Sequence, residues 1–277
     1  MKRNLKVITI SSLSLVLFTL MTVTSAFAQS VSASGSATTS GRMLYKLRHG
    51  AMSSTTVAQI QSKSDTEIDS RISSLDNLIS RVQLMVKISD SEKTTIINTL
   101  QGLVTDMTSL KTQISSDTSS STLRSDFQSI TKDYRIYALV LPQGRIAAAA
   151  DRVETITAMF TQVSSKLQAR ISAIQNTGID VSVATSALSD LTIKVSDANT
   201  QAQAAVAEIV NLQPDQGNQT VAASNTAALK DAASKIKIAT QDLVAARADS
   251  QTIINFLKSS EVTSTTSASV SASSSNQ

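Results

Sequence analysis

Between Thr55 and Leu257 apolar residues recur at alternating steps of three and four, the spacing that lines them up on one stripe of an α-helix. From about Thr55 to Lys87 the stripe is Ile68, Ile72, Leu75, Ile79, Val82 and Val86. Ser89-Asp90-Ser91-Glu92 then reads as a capping box, opening a helix that carries Leu100, Leu103, Met107, Leu110 and Ile114. The polar run Ser115–Ser121 breaks it, and Thr122 is available to cap the next helix.

That helix, Leu123–Asn176, is the element around which the rest can be arranged. Leu123, Phe127, Ile130, Tyr134, Tyr137 and Leu141 form one stripe, and Ile146, Ala149, Val153, Ile156, Phe160, Val163 and Leu167 form a second. The step of five from Leu141 to Ile146 puts the two stripes out of phase, and Pro142 and Gly144 lie at the slip. The expectation is a central helix of roughly 80 Å with a hinge at Pro142 and Gly144 and halves that face different partners.

Asn176-Thr177-Gly178 predicts a glycine-capped end, and Asp180 a new N-cap. Ala184, Leu188, Leu191, Val195, Ala198, Ala202, Ala205, Ile209 and Leu212 then make one seam, outweighing the short strand-like alternation of Ile179–Val183. Gln213–Asn218 is a turn by composition, and a last helix carries Leu229, Ala232, Ile236, Ala239, Leu243, Ala246, Ile253 and Leu257.

The fold class these stripes predict is all-α: an elongated antiparallel bundle or coiled coil of two three-helix units, residues 51–141 and 142–258, sharing the helix 123–176. The plan is similar to spectrin-type tandem three-helix bundles, in which the last helix of one bundle runs into the first of the next. Arg71-Ile72-Ser73-Ser74-Leu75 is faintly echoed by Arg170-Ile171-Ser172-Ala173-Ile174, each in the first helix of its triplet. The run Asp133-Tyr-Arg-Ile-Tyr-Ala-Leu-Val-Leu-Pro-Gln-Gly-Arg-Ile-Ala-Ala-Ala-Ala-Asp151, with the Ala/Gln-rich helices after it, resembles uncharacterised exported helical proteins of small-genome bacteria over most of residues 60–258. That resemblance implies an exported helical protein and carries no activity with it.

The N-terminus changes the electrostatic picture. Lys2, Arg3 and Lys6, then an apolar core Val7–Val23, then Ala26-Phe27-Ala28 have the three parts of a secretory signal, residues 1–28, with cleavage expected between Ala28 and Gln29. The chain has 25 basic and 21 acidic side chains, and the signal holds three of the basic ones and none of the acidic, so the mature balance is 22 to 21. A near-neutral chain with no basic face is not a nucleic-acid binder. Residues 29–50 read as a leader: Gln29–Gly41 has nothing to bury, and Arg42–Gly50 is either a frayed helix start or a small membrane- or partner-binding patch. The Ser/Thr-rich end 259–277, with Glu261 as its one charge, is expected to be a disordered spacer.

Candidate chemistry is sparse. With no cysteine and a single histidine, His49, neither a metal site nor a nucleophile–histidine pair is expected, and no catalytic or cofactor-binding residue stands out. Asp106, Glu154, Asp190 and Asp197 fall off the seams and read as solvated. Asn218-Gln219-Thr220 matches a glycosylation pattern but reads better as a turn. Arg145, between Gly144 and the apolar run Ile146–Ala150, is the one candidate partner contact, against the ordinary reading of a snorkelling arginine. The sequence thus predicts a non-enzymatic structural or adaptor protein outside the cytoplasm, with a protein partner and self-association through helical seams both compatible. The alternative is a membrane-active helical protein inserting Ile136–Leu141 and Ile146–Ala150, which Pro142–Arg145 divides with a charge.

Overall fold

A computed structural model describes residues 54–273, with side-chain environments from 57 to 260 apart from residue 120. Ala26, Ala28, Gln29 and His49, with the signal and leader readings, lie outside the described residues. The described chain is all-α: α1 (Ser54–Gln83), α2 (Asp90–Ser116), α3 (Ser120–Lys132), a π-helical turn (Ile136–Val140), α4 (Leu141–Gln175), α5 (Ser182–Ile209) and α6 (Gln219–Ser273). The helices pack on one another as a bundle, with no strand among the described residues.

Packing falls into two triplets. α1, α2 and α3 contact one another, and α4, α5 and α6 form a second set in which α5 against α6 is the most extensive pairing. The second set is built on small residues: Ala184, Ala198, Ala202 and Ala205 of α5 and Ala232, Ala239 and Ala246 of α6 are buried. Small side chains let helix axes approach toward the lower end of the ~8–10 Å range. α1 also packs on α4, joining the triplets. At that joint lies a small void lined by Leu78, Ile96, Leu100, Val140, Gly144 and Ile209.

Two boundary residues cap helices, Ser89 as expected and Asn218 where a turn was read. Ser89 accepts from the Glu92 amide at 3.2 Å while Glu92 Oε2 accepts from the Ser89 amide at 3.1 Å, closing the capping box. Asn218 Oδ1 accepts from the Thr220 and Val221 amides, so the glycosylation-like motif is an N-cap. The α5 end is capped differently, since Gln143 Nε2 of α4 donates to the carbonyls of Ile209 (2.8 Å) and Leu212 (3.1 Å).

Four expectations need correction. α1 ends at Gln83, short of Lys87, and its buried face is Ile60, Ser64, Ile68, Arg71, Leu75, Leu78 and Val82, leaving Val86 76% exposed in the following loop. The central element is not broken at Pro142. It breaks at Asp133–Arg135, where Arg135 takes a left-handed φ of 49°, and the triplets part there rather than at residue 141. Downstream of the break Ile136, Leu139 and Val140 are buried, while Tyr137 is 49% exposed. The step from Ile130 to Ile136 absorbs the phase slip that the stripes place at Pro142. Pro142 itself occupies the first turn of α4, directly after the π-helical turn, and the backbone stays helical through it. Last, the backbone of α6 stays helical to Ser273 where a spacer was expected from residue 259. Ser, Thr, Ala and Val without Gly or Pro are mediocre helix formers, yet extending an established helix avoids the nucleation cost.

Candidate functional site

Two recesses run along one side of the α4–α5 pair. Beside the buried seam, α4 carries Thr157, Thr161, Ser164, Ser165 and Gln168, and α5 carries Ser189, Thr192, Ser196 and Asn199. Because these side chains are short, the two helices leave an open groove in two stretches of about 490 and 580 Å³ that share Ser164, Ser165 and Thr192. Most of its hydroxyl protons are already used. Thr161, Ser164, Ser165 and Thr192 donate to the carbonyls of Thr157, Phe160, Thr161 and Leu188 at 2.8–3.1 Å. Such hydroxyls offer a visitor acceptor lone pairs and methyl or methylene surface, and none is activated as a nucleophile. Thr157 is 4% exposed and reaches across the pair, its Oγ1 lying 2.9 Å from the Glu154 carbonyl and 3.2 Å from Asn199 Oδ1.

One end of the groove meets the α1–α2 loop. Asp151 Oδ1 accepts from three successive loop amides, Val86 (2.8 Å), Lys87 (2.5 Å) and Ile88 (3.2 Å). The carboxylate therefore fixes this loop, which presents Leu84 at 81% and Val86 at 76% exposure. One turn on, Glu154 is half-buried. Its desolvation, reinforced by Glu92 and Asp151 and opposed by Lys87, pushes its carboxyl up to about 6.

Sequence-predicted residues scatter relative to this groove. Gly144 is buried under Leu78 of α1, a close approach rather than a pivot. Pro142 is half-buried beside it. Arg145 is exposed between two buried neighbours, as a snorkelling arginine would be, and Asp151 is committed to the loop. Asp106, Asp190 and Asp197 are exposed as expected, and Glu154 is not. Sequence reasoning missed Asp151, Glu154, Thr157 and Asn199. A polar residue at a seam position was the available signal for Thr157, which falls four residues after Val153 and three before Phe160. No signal marked Asp151, whose partners lie more than sixty residues away.

Among the described residues no group of three or more His, Cys, Asp or Glu is disposed to hold a metal ion. No described helix is long and apolar enough to cross a membrane. Against family models, curated proteins and solved structures, the chain has no match.

Proposed function

We propose that this chain is an exported, non-enzymatic helical adaptor that binds a protein partner along a helical surface, the α4–α5 groove being its contact. The observation that carries this reading is the groove itself: long, open, lined by small side chains most of whose hydroxyl protons are satisfied, and bordered by the exposed Ile193. It suits the side chains of an approaching helix or extended segment, and the ionisable groups that line it, Lys87 and Glu154, stand at one end. Export rests on the signal pattern at residues 1–28 and on the resemblance to exported helical proteins. It predicts a mature N-terminus at Gln29, readable by mass spectrometry of the envelope fraction.

The membrane-active alternative draws less support. Ile136, Leu139, Val140, Ile146, Ala147, Ala149 and Ala150 are buried, so an inserting segment would have to leave the bundle core. The deciding experiment uses purified mature protein as bait in envelope extract, beside Ser165→Arg and Ser189→Arg variants, both at exposed groove positions. A discrete partner held by wild type and lost from both variants supports the adaptor reading. Capture indifferent to both substitutions refutes the groove as the contact. Release of dye from loaded vesicles by wild type, with Leu139→Asp abolishing release yet melting normally, would replace the adaptor reading by the membrane-active one.

A further inference from the structure

The break in the central element is not written into its local sequence. Thr131–Leu141, TKDYRIYALVL, contains neither glycine nor proline. Yet the α-helical ladder lapses after the Asp133 amide, which donates to Ser129, and resumes where Ala138 and Leu139 both donate to the Arg135 carbonyl. Arg135 holds a left-handed conformation that a side chain with a Cβ resists. What holds it is distant in sequence: Arg135 Nε lies 3.0 Å from Asp215 Oδ2, and the Asp215 side chain is 4% exposed. Asp215 Oδ1 meanwhile accepts from the Gly217 amide at 2.9 Å. Gln216, between them, is the other non-glycine residue at positive φ among the described residues (47°). Two strained residues thus meet at one ion pair.

The same stretch carries two apolar registers. With the turn in place, Ile136, Leu139 and Val140 are buried and the π-helical turn leads straight into α4. Without it, Tyr134, Tyr137 and Leu141 extend the Leu123–Phe127–Ile130 stripe at unbroken helical spacing. α1 lies along both sides of the break, with the Arg71 guanidinium 4.9 Å from the Tyr137 ring centre and Leu78 over Gly144, so it can splint either arrangement.

We propose that Ser120–Gln175 is a two-state element, bent at Arg135 while Asp215 holds it and one continuous helix, kinked only at Pro142, when that ion pair is broken. Opening the pair exchanges Ile136, Leu139 and Val140 for Tyr134 and Tyr137 on the buried stripe. It also frees the α5–α6 turn, so a partner that engages Asp215 would change the surface of the central helix. Residue-resolved hydrogen exchange on the full mature chain tests this. In wild type the amides of Tyr134–Tyr137 exchange quickly, and Arg135→Gly, which relieves the left-handed strain, leaves them so. Arg135→Ala and Asp215→Asn slow those four amides tenfold or more while α3 keeps its protection. Fast exchange at Tyr134–Tyr137 in both variants overturns the proposal. So does loss of protection across α3, or across the chain, in both, since the pair is then a structural tie and not a latch. Slow exchange already present in wild type also overturns it. Because the two variants act from opposite sides of the pair, failure of one to fold leaves the other to decide.

Discussion

Alanine substitution at two helical glycines, Gly102 in α2 and Gly144 in α4, should change stability in opposite directions. A Cβ at Gly102 meets nothing within 4 Å. There the substitution removes only backbone freedom from the unfolded chain, a gain of about 0.5–1 kcal/mol. A Cβ at Gly144 would lie 2.2, 2.6 and 2.9 Å from Cδ1, Cδ2 and Cγ of Leu78. Leu78 is only 7% exposed, and the adjoining void of about 20 Å³ is the size of one water, so the isobutyl group has nowhere to swing. Overpacking of this kind costs ~1–3 kcal/mol. The helix gain offsets part of it, leaving Gly144→Ala destabilised by ~1–2 kcal/mol, a fall in Tm of about 2–8 °C for a chain of this size. Urea denaturation of both variants, with Leu78→Ala and the Leu78→Ala/Gly144→Ala pair completing a cycle, measures it. Leu78→Ala alone should cost ~2–5 kcal/mol, and adding Gly144→Ala to it should cost nothing further. A Gly144→Ala protein as stabilised as Gly102→Ala, or a cycle additive to within ~0.5 kcal/mol, would refute the contact between α1 and α4 as the reason for glycine.

Two further expectations concern the groove end. Folding raises the Glu154 pKa from 4.5 to about 6, so its contribution to stability is complete below about pH 4.5 and is lost as pH rises through about 6. At full strength that rise is worth ~2 kcal/mol, and screening at a group this exposed reduces it to ~1 kcal/mol or less. Glu154→Gln should therefore gain up to ~1 kcal/mol over wild type at pH 8 and lose that advantage by pH 4.5, measured as paired melts across pH. Asp151→Ala strips three amides of their shared acceptor and should cost about 1–3 kcal/mol, with faster exchange at Val86–Ile88, and Asp151→Asn should cost less because one acceptor oxygen remains. Equal exchange at those amides in wild type and Asp151→Ala would mean that the loop is held by other contacts.

Much of the architecture was legible because helix periodicity is a local signal. The seams of α2, α5 and α6 predicted from spacing are the ones buried, apart from the half-buried Leu212 and Leu229 at their ends. The capping box at Ser89 was equally readable, since both halves of a cap lie within four residues. α1 was read less well because Ile72 and Ile79 compete with Arg71 and Leu78 for the core, and only the surface offered by α2 and α4 decides between neighbouring phases. The all-α class and the order of the helices were therefore determined by the sequence alone. The tertiary structure decided the rest: that the central element breaks at Arg135 and not at Pro142, that Gly144 serves close packing, that Asp151 holds a loop and that Glu154 is drawn into a groove. Each depends on a residue far along the chain, Asp215 for Arg135, Leu78 for Gly144, Val86–Ile88 for Asp151 and the α5 wall with Lys87 for Glu154. A periodicity read over a few turns of helix contains no information about such partners.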